Sequence, residues 1–169
     1  MKANIGCGQD YWGDIRIDKN PTIASNLQYD LEAGIPLDSE SVDEIRLWAM
    51  LEHTPNPGKL LSECHRVLKK GGKIDLLTDY AGFIGQYLFH NMEHNKRLKN
   101  YYLNHNELFE NDGHYALYIP SHLKLLMKDF KIEKTYYQYS RRGKMIQLIL
   151  KCLPFKMGAV NIGVVAVKR

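Results

Sequence analysis

The chain has 169 residues, 44% hydrophobic and 25% charged, a balance that fits one globular domain with a real core. A formal net charge of +4 is too mild to mark a nucleic-acid binder without a concentrated basic face. Cys7, Cys64 and Cys152 are odd in number and far apart, which argues against a disulfide framework or a zinc knuckle. No charged segment followed by an apolar core opens the sequence, so no secretory leader is expected, and no apolar run reaches the roughly 18 residues of a membrane span. A single-domain cytoplasmic protein spanning 1–169 is expected.

In chain order, "KANI" predicts a short strand running into the glycine turn of "NIGCG", Asn4 to Gly8. "DIRID", Asp14 to Asp18, alternates polar and apolar residues and stops at "KNP". "NLQYD" offers a brief strand up to Asp30, followed by a loop with Gly34 and Pro36, and "VDEIRLW" reads as the next strand. From Pro57 to Lys69, Leu60, Leu61, Cys64, Val67 and Leu68 recur at helical spacing, with Gly71-Gly72 just beyond. "KIDLLT" follows as a strand. The alternation predicts an α/β domain with a mostly parallel sheet.

Ligands of such sheets bind beyond the carboxyl ends of the strands. There the pattern gathers Gly6 and Gly8 after the first strand, Asp18 at the second, Asp30 at the third, and Trp48 to His53 after the fourth. Glycines let backbone close on a polar ligand. A carboxylate after the second strand suits a ribose diol, and one after the third can accept from an exocyclic amine. Taken singly, Asp18 is equally readable as a turn or cap residue; the ordered set is what points to a nucleoside site.

These residues resemble those of the class I S-adenosylmethionine-dependent methyltransferases, close to the compact type-11 group. "NIGCG" is similar to the first motif of that family, and "VDEIRLWAMLEH" to its fourth strand and the Leu-Glu-His that follows. "LLSECHRVLKKGGKIDLLTDY", Leu60 to Tyr80, resembles its most specific signature. The segment "DGHYALYIPSHLKLLMKDFKIEKTYY" resembles the late helix and sixth strand, and "AVNIGVVAVKR" the seventh. The resemblance implies a Rossmann-like methyltransferase fold: seven strands, mostly parallel, the last antiparallel. It implies S-adenosylmethionine as cofactor, held by Ile5, Gly6, Cys7, Gly8, Asp18, Asp30, Leu31, Trp48 and His53. His114 and Tyr115 become weak candidates for a base or substrate contact.

The chain departs from that pattern in one place. Only "QDYWGDIRI" lies between Gly8 and Asp18, where most of the family has a full helix. The N-terminal helices are truncated, so the glycine turn is expected to work through its own amides, with Gln9, Asp10 or Tyr11 near the methionine moiety. One face of the sheet is left thinly covered, and a homodimer partner is one candidate to cover it.

Three stretches lie outside this frame. "HNMEH" places His90 and His94 in a zinc-peptidase spacing, but the surrounding polar helix pattern needs no metal, and no metal site is expected. Residues 82–118, rich in Tyr, His and Asn, are expected to form a lid on the acceptor side, with Tyr80 beside His114 and Tyr115. Residues 141–156 form an insertion between the last two strands. Its basic, apolar stretch 144–155 suits peripheral membrane contact or, as the plainer reading, a helix packed on the sheet.

The expected activity is methyl transfer to a small molecule or a glycan- or lipid-linked acceptor. The alternatives are a methyltransferase-like domain that binds without turnover, or methylation of nucleic acid or protein. Neither the Asp/Asn-Pro-Pro-Tyr motif of amino-methylating DNA enzymes nor a Pro-Cys nucleophile occurs, and nucleic acid is unsupported.

Overall fold

A computed structural model describes residues 1–83, 116–139, 151–152 and 154–169. Its centre is a seven-stranded sheet in the order β3-β2-β1-β4-β5-β7-β6. β1 is Lys2–Ile5, β2 Ile15–Asp18, β3 Leu27–Gln28, β4 Val42–Trp48, β5 Leu68–Asp79, β6 Phe130–Tyr139 and β7 Ala159–Lys168. The strands from β3 to β5 run parallel, and β7 is antiparallel to both β5 and β6. The expected fold class is therefore present, including the antiparallel last strand.

Helix α1, Pro57–Val67, forms because Asn56 caps it, its side chain accepting from the Lys59 amide, and Pro57 opens its first turn. Leu60, Leu61, Cys64 and Val67 make its buried stripe. It ends two residues before the expected Lys69, because Leu68 turns extended and pairs with Val42 as the start of β5. The register then slips between Val42 and Glu44, and residues 69–72, with the Gly-Gly pair, form a bulge in the strand. Helix α2, Pro120–Leu126, buries Leu123 and leads into β6.

Strand alternation divides the sheet into two unlike faces. Ala3, Ile5, Ile45, Leu47, Ile74, Leu76, Ile162, Val164 and Ala166 point to one face, where they join the buried residues of α1 and α2 in a single core. Arg46, Trp48 and Asp75 occupy the alternate positions of β4 and β5. Among the described residues no helix covers this second face. The first connection, residues 6–14, holds no helix either, as its length requires.

Candidate functional site

The strand order reverses between β1 and β4, with β2 and β3 on one side and β5 on the other. At such a switch point the loops leave in opposite directions and open a crevice at the carboxyl edge. Gly6, Cys7 and Gly8 lie at this edge after β1, and Ala49 to His53 lie there after β4.

The glycine turn is built on β2. The Gly6 and Cys7 amides both donate to the Ile17 carbonyl, at 2.9 and 3.0 Å. The Gly8 amide donates to Asp18 Oδ2 at 2.8 Å. Strand and carboxylate thus engage these amides within the chain. Gly6 and Gly8 have φ of +69° and +51°, the left-handed region that favours glycine. Their surroundings differ. A Cβ on Gly6 would stand 2.7 Å from Met50 Sδ, whereas one on Gly8 would meet nothing within 4 Å. Gly6 is needed for close packing across the switch point, and Gly8 faces open space.

Asp18 is half-buried at the end of β2. Besides the Gly8 amide it accepts the Asn20 amide on Oδ1, 3.0 Å away. The turn-residue reading is therefore true of one oxygen, while the other ties the glycine turn. An ionised carboxylate has about four acceptor positions, so roughly two remain for a diol. Asp30 accepts the Glu32 amide at 3.0 Å, capping a 3-10 turn over Leu31–Ala33, and pairs with Lys19 at 3.4 Å. The Glu32 amide and then Lys19 hold its pKa below the usual carboxylate value.

The remaining expected residues divide by where their side chains lie. Ile5 and Leu31 are buried in the apolar core, so only their backbone borders the crevice. Cys7 is buried as well, and burial followed by the charge of Asp18 pushes its thiol up, away from reactivity. Trp48 leans to the second sheet face, its Nε1 donating to Asp75 Oδ2 at 3.1 Å and its ring against Arg46. His53 ends a 3-10 turn over Leu51–His53, half-buried, its amide donating to the Met50 carbonyl.

On the acceptor side, the β5 end extends through a bridge between Tyr80 and Tyr118. Tyr80 is buried and meets Tyr137 edge-on, with ring centroids 5.2 Å apart. Buried Glu52 accepts from Thr78 Oγ1 at 2.7 Å. Burial, then the Glu52 charge, pushes the Tyr118 phenol up to about 12, so its hydroxyl stays a donor to the Leu51 carbonyl. His114 and Tyr115, the His90–His94 pair, all but the ends of the 82–118 lid and most of the 141–156 insertion lie outside the described residues. Among the described residues no cluster of His, Cys, Asp and Glu is arranged to hold a metal, and no helix is long and apolar enough to cross a membrane.

Strand order, switch-point crevice and strand-end carboxylates define a class I, Rossmann-like methyltransferase fold. Residues 14–75 match the family model described as a methyltransferase domain, of the type-11 group. Among solved structures the chain is similar to a SAM-dependent methyltransferase from Archaeoglobus fulgidus, with 16% identity and a TM-score of 0.65 over 99% of this chain and 85% of that one. It is also similar to a structure of a Haloferax volcanii methyltransferase with the Trm112 methyltransferase activator, at 13% identity and TM-score 0.66 over 99% and 81%. A Methanosarcina mazei SAM-dependent methyltransferase aligns at 15% identity and TM-score 0.59 over 99% and 91%. No curated protein matches the chain in sequence.

Two contacts beside the turn escaped the sequence reading. Met50 packs on Gly6, and spacing carries no signal for that contact. Asp10 and Arg46 form an ion pair at 2.9 Å beside the turn. A readable signal existed for Arg46: a charge in the middle of a central strand, two residues before Trp48 and so on the same face.

Proposed function

We propose that the chain binds S-adenosylmethionine in the β1–β4 crevice and transfers its methyl group to a small molecule or to a glycan- or lipid-linked acceptor. The observation that carries this reading is Asp18, fixed by the Gly8 amide at the end of β2 with acceptor positions to spare. The open space beside Gly8 suits a ligand that approaches the backbone closely. The residues present therefore fit the cofactor: Asp18 would accept the ribose hydroxyls, Asp30 the adenine amine, and the Gly6–Gly8 turn would border the amino-acid end.

When bound, the cofactor supplies an activated methyl on a sulfonium, so the reaction asks of the protein mainly positioning. Gly8 and Asp18 orient; Tyr80 and Tyr118 shape an aromatic wall at the end of β5; His53 stands at the mouth of the crevice. Free thiols at Cys7, Cys64 and Cys152 accord with a reducing, cytoplasmic setting. A protein partner, a second copy of the chain included, belongs to the same reading for the uncovered sheet face.

A second reading, binding without turnover, draws support from the turn amides already engaged by Ile17 and Asp18. Cofactor labelled in its methyl group, incubated with polar, glycan and lipid extracts, separates the two. Label transferred to a polar metabolite, glycan or lipid fraction is expected for the enzyme; cofactor binding with no transferred label would favour the binding domain.

A further inference from the structure

The turn that would hold the cofactor has no helix behind it, so something else must hold the turn. Residues 9–14 run irregularly from Gly8 to β2, and their anchor is Asp10. Its amide donates to the Cys7 carbonyl at 2.8 Å, closing the turn on itself. Its Oδ2 accepts from an Arg46 guanidinium nitrogen at 2.9 Å and from Asn4 Nδ2 at 3.2 Å. Its Oδ1 accepts the Trp12 amide at 3.1 Å. Burial raises the Asp10 pKa, but Arg46, Trp12 and Asn4 outweigh it and keep the carboxylate ionised below its ordinary range.

Arg46 is itself held on a platform. Its guanidinium lies 4.3 Å from the Trp12 ring centroid and 4.1 Å from that of Trp48, a cation against two indoles. Trp48 is fixed by Asp75 Oδ2, and Asp75 Oδ1 accepts from the Tyr136 hydroxyl at 2.7 Å. The Tyr136 ring lies over Gly163, where a Cβ would be 2.2 Å from it. The chain of contacts thus crosses adjacent strands from Asn4 on β1, through β4, β5 and β7, to Tyr136 on β6.

Arg46 Nε is buried and has no hydrogen-bond partner among the described residues. An unmatched buried donor costs stability, and a Met or Leu would cover the same indoles without that cost. What a Met or Leu cannot do is hold Asp10. We propose that Arg46 is a positioning residue for the cofactor site: through Asp10, it holds residues 6–10 in the ligand-competent arrangement, in the place of the missing helix. This rests on the cofactor reading given above.

The test uses Arg46→Met, with Arg46→Lys as the conservative variant and Asp10→Asn as the variant that leaves the indole platform intact. S-adenosylhomocysteine affinity is measured by calorimetry, and amide exchange is followed in the free protein. Arg46→Met is expected to weaken S-adenosylhomocysteine at least tenfold and to speed exchange across residues 6–12, leaving β5 and β7 protected. Asp10→Asn should do the same, the double variant should add little to either, and Arg46→Lys should recover part of both effects. Affinity within twofold of the unsubstituted protein and unchanged exchange at 6–12 would overturn the proposal. So would exchange that quickens equally across the whole sheet, because that marks a merely structural residue. If Arg46→Met does not fold, Asp10→Asn alone decides by the same criteria. If the unsubstituted protein binds no S-adenosylhomocysteine, the cofactor reading fails, and the exchange pattern still decides whether Arg46 holds the turn.

Discussion

The two halves of the sheet solve the same problem by different physics. On the β4-β5-β7-β6 side, α1 and α2 lay apolar stripes onto Ile74, Leu76, Ile162 and Val164, and burial of those side chains supplies the cohesion. On the β3-β2-β1 side the β1–β2 and β2–β3 connections hold no helix, and polar groups fix these loops beyond the apolar strand residues Ala3, Ile5 and Ile17. Ile17 and Asp18 fix the glycine turn, Arg16 reaches the Ala24 and Gly13 carbonyls at 2.5 and 2.8 Å, and Arg46 holds Asp10. Apolar packing is non-directional, whereas hydrogen bonds fix geometry atom by atom. The half that carries Asp18 and Asp30 is the half in which geometry is specified by polar ties.

That contrast can be broken most forcefully in the apolar half. Leu76 is fully buried in the middle of β5, and Leu76→Ala should cost about 3 kcal/mol of unfolding free energy in urea, cavity included. S-adenosylhomocysteine affinity of the remaining folded protein should be nearly unchanged. A variant that loses affinity as strongly as stability would show that the halves are not separable.

At the seam between the halves, Glu63 on α1 accepts two 2.8 Å bonds from Arg66 and one from the Ile35 amide, pinning the loop before β4. Arg66 first, against the cost of burial, and then the Ile35 amide bring its pKa from 4.5 down to about 2. A depressed carboxylate stabilises the fold fully above its unfolded value. The contribution is therefore present above pH 4.5 and fades as pH falls toward 2. Glu63→Gln should lose on the order of 1–2 kcal/mol at neutral pH, discounted for partial exposure, and should flatten the urea midpoint between those pH values. An equally steep acid limb in the variant would remove Glu63 from the explanation.

The smallest expected effect on stability distinguishes the two glycines of the turn. Gly8→Ala should cost about 1 kcal/mol, from the left-handed backbone alone, while S-adenosylhomocysteine affinity falls by more than the roughly fivefold that such an energy represents. Gly6→Ala should cost more stability, because Met50 must move, and Met50→Ala in the same chain should recover the excess. Equal stabilities for the two glycine variants, measured by thermal unfolding, would contradict the Met50 contact.

Much of the fold was legible because its elements obey local rules. "VDEIRLW" has the bounds of β4, and "AVNIGVVAVKR" overruns β7 by one residue, the strand ending at Lys168. Pro57 and the Leu60–Leu68 stripe marked α1, but its end was decided by Leu68 pairing with Val42, a partner 26 positions away that no local signal names. The placement of Gly6, Gly8 and Asp18 at the ends of β1 and β2 was legible from the strand patterns that precede them. The bond that joins Gly8 to Asp18 was not, nor was Met50 on Gly6, since both depend on how two strands lie side by side. Arg46 and Trp12 sit 34 positions apart and meet only because one short loop folds over the sheet face.

The most direct measurement is calorimetric titration of the purified protein and its Asp18→Ala variant with S-adenosylhomocysteine. Saturable binding to one site is expected for the unsubstituted chain. The variant should remain folded by circular dichroism and bind tens- to a hundredfold more weakly, the loss of about 2–3 kcal/mol for a carboxylate that accepts from two hydroxyls. Unchanged affinity in a folded Asp18→Ala protein, or no binding to either, would contradict the assignment of this crevice as the cofactor site.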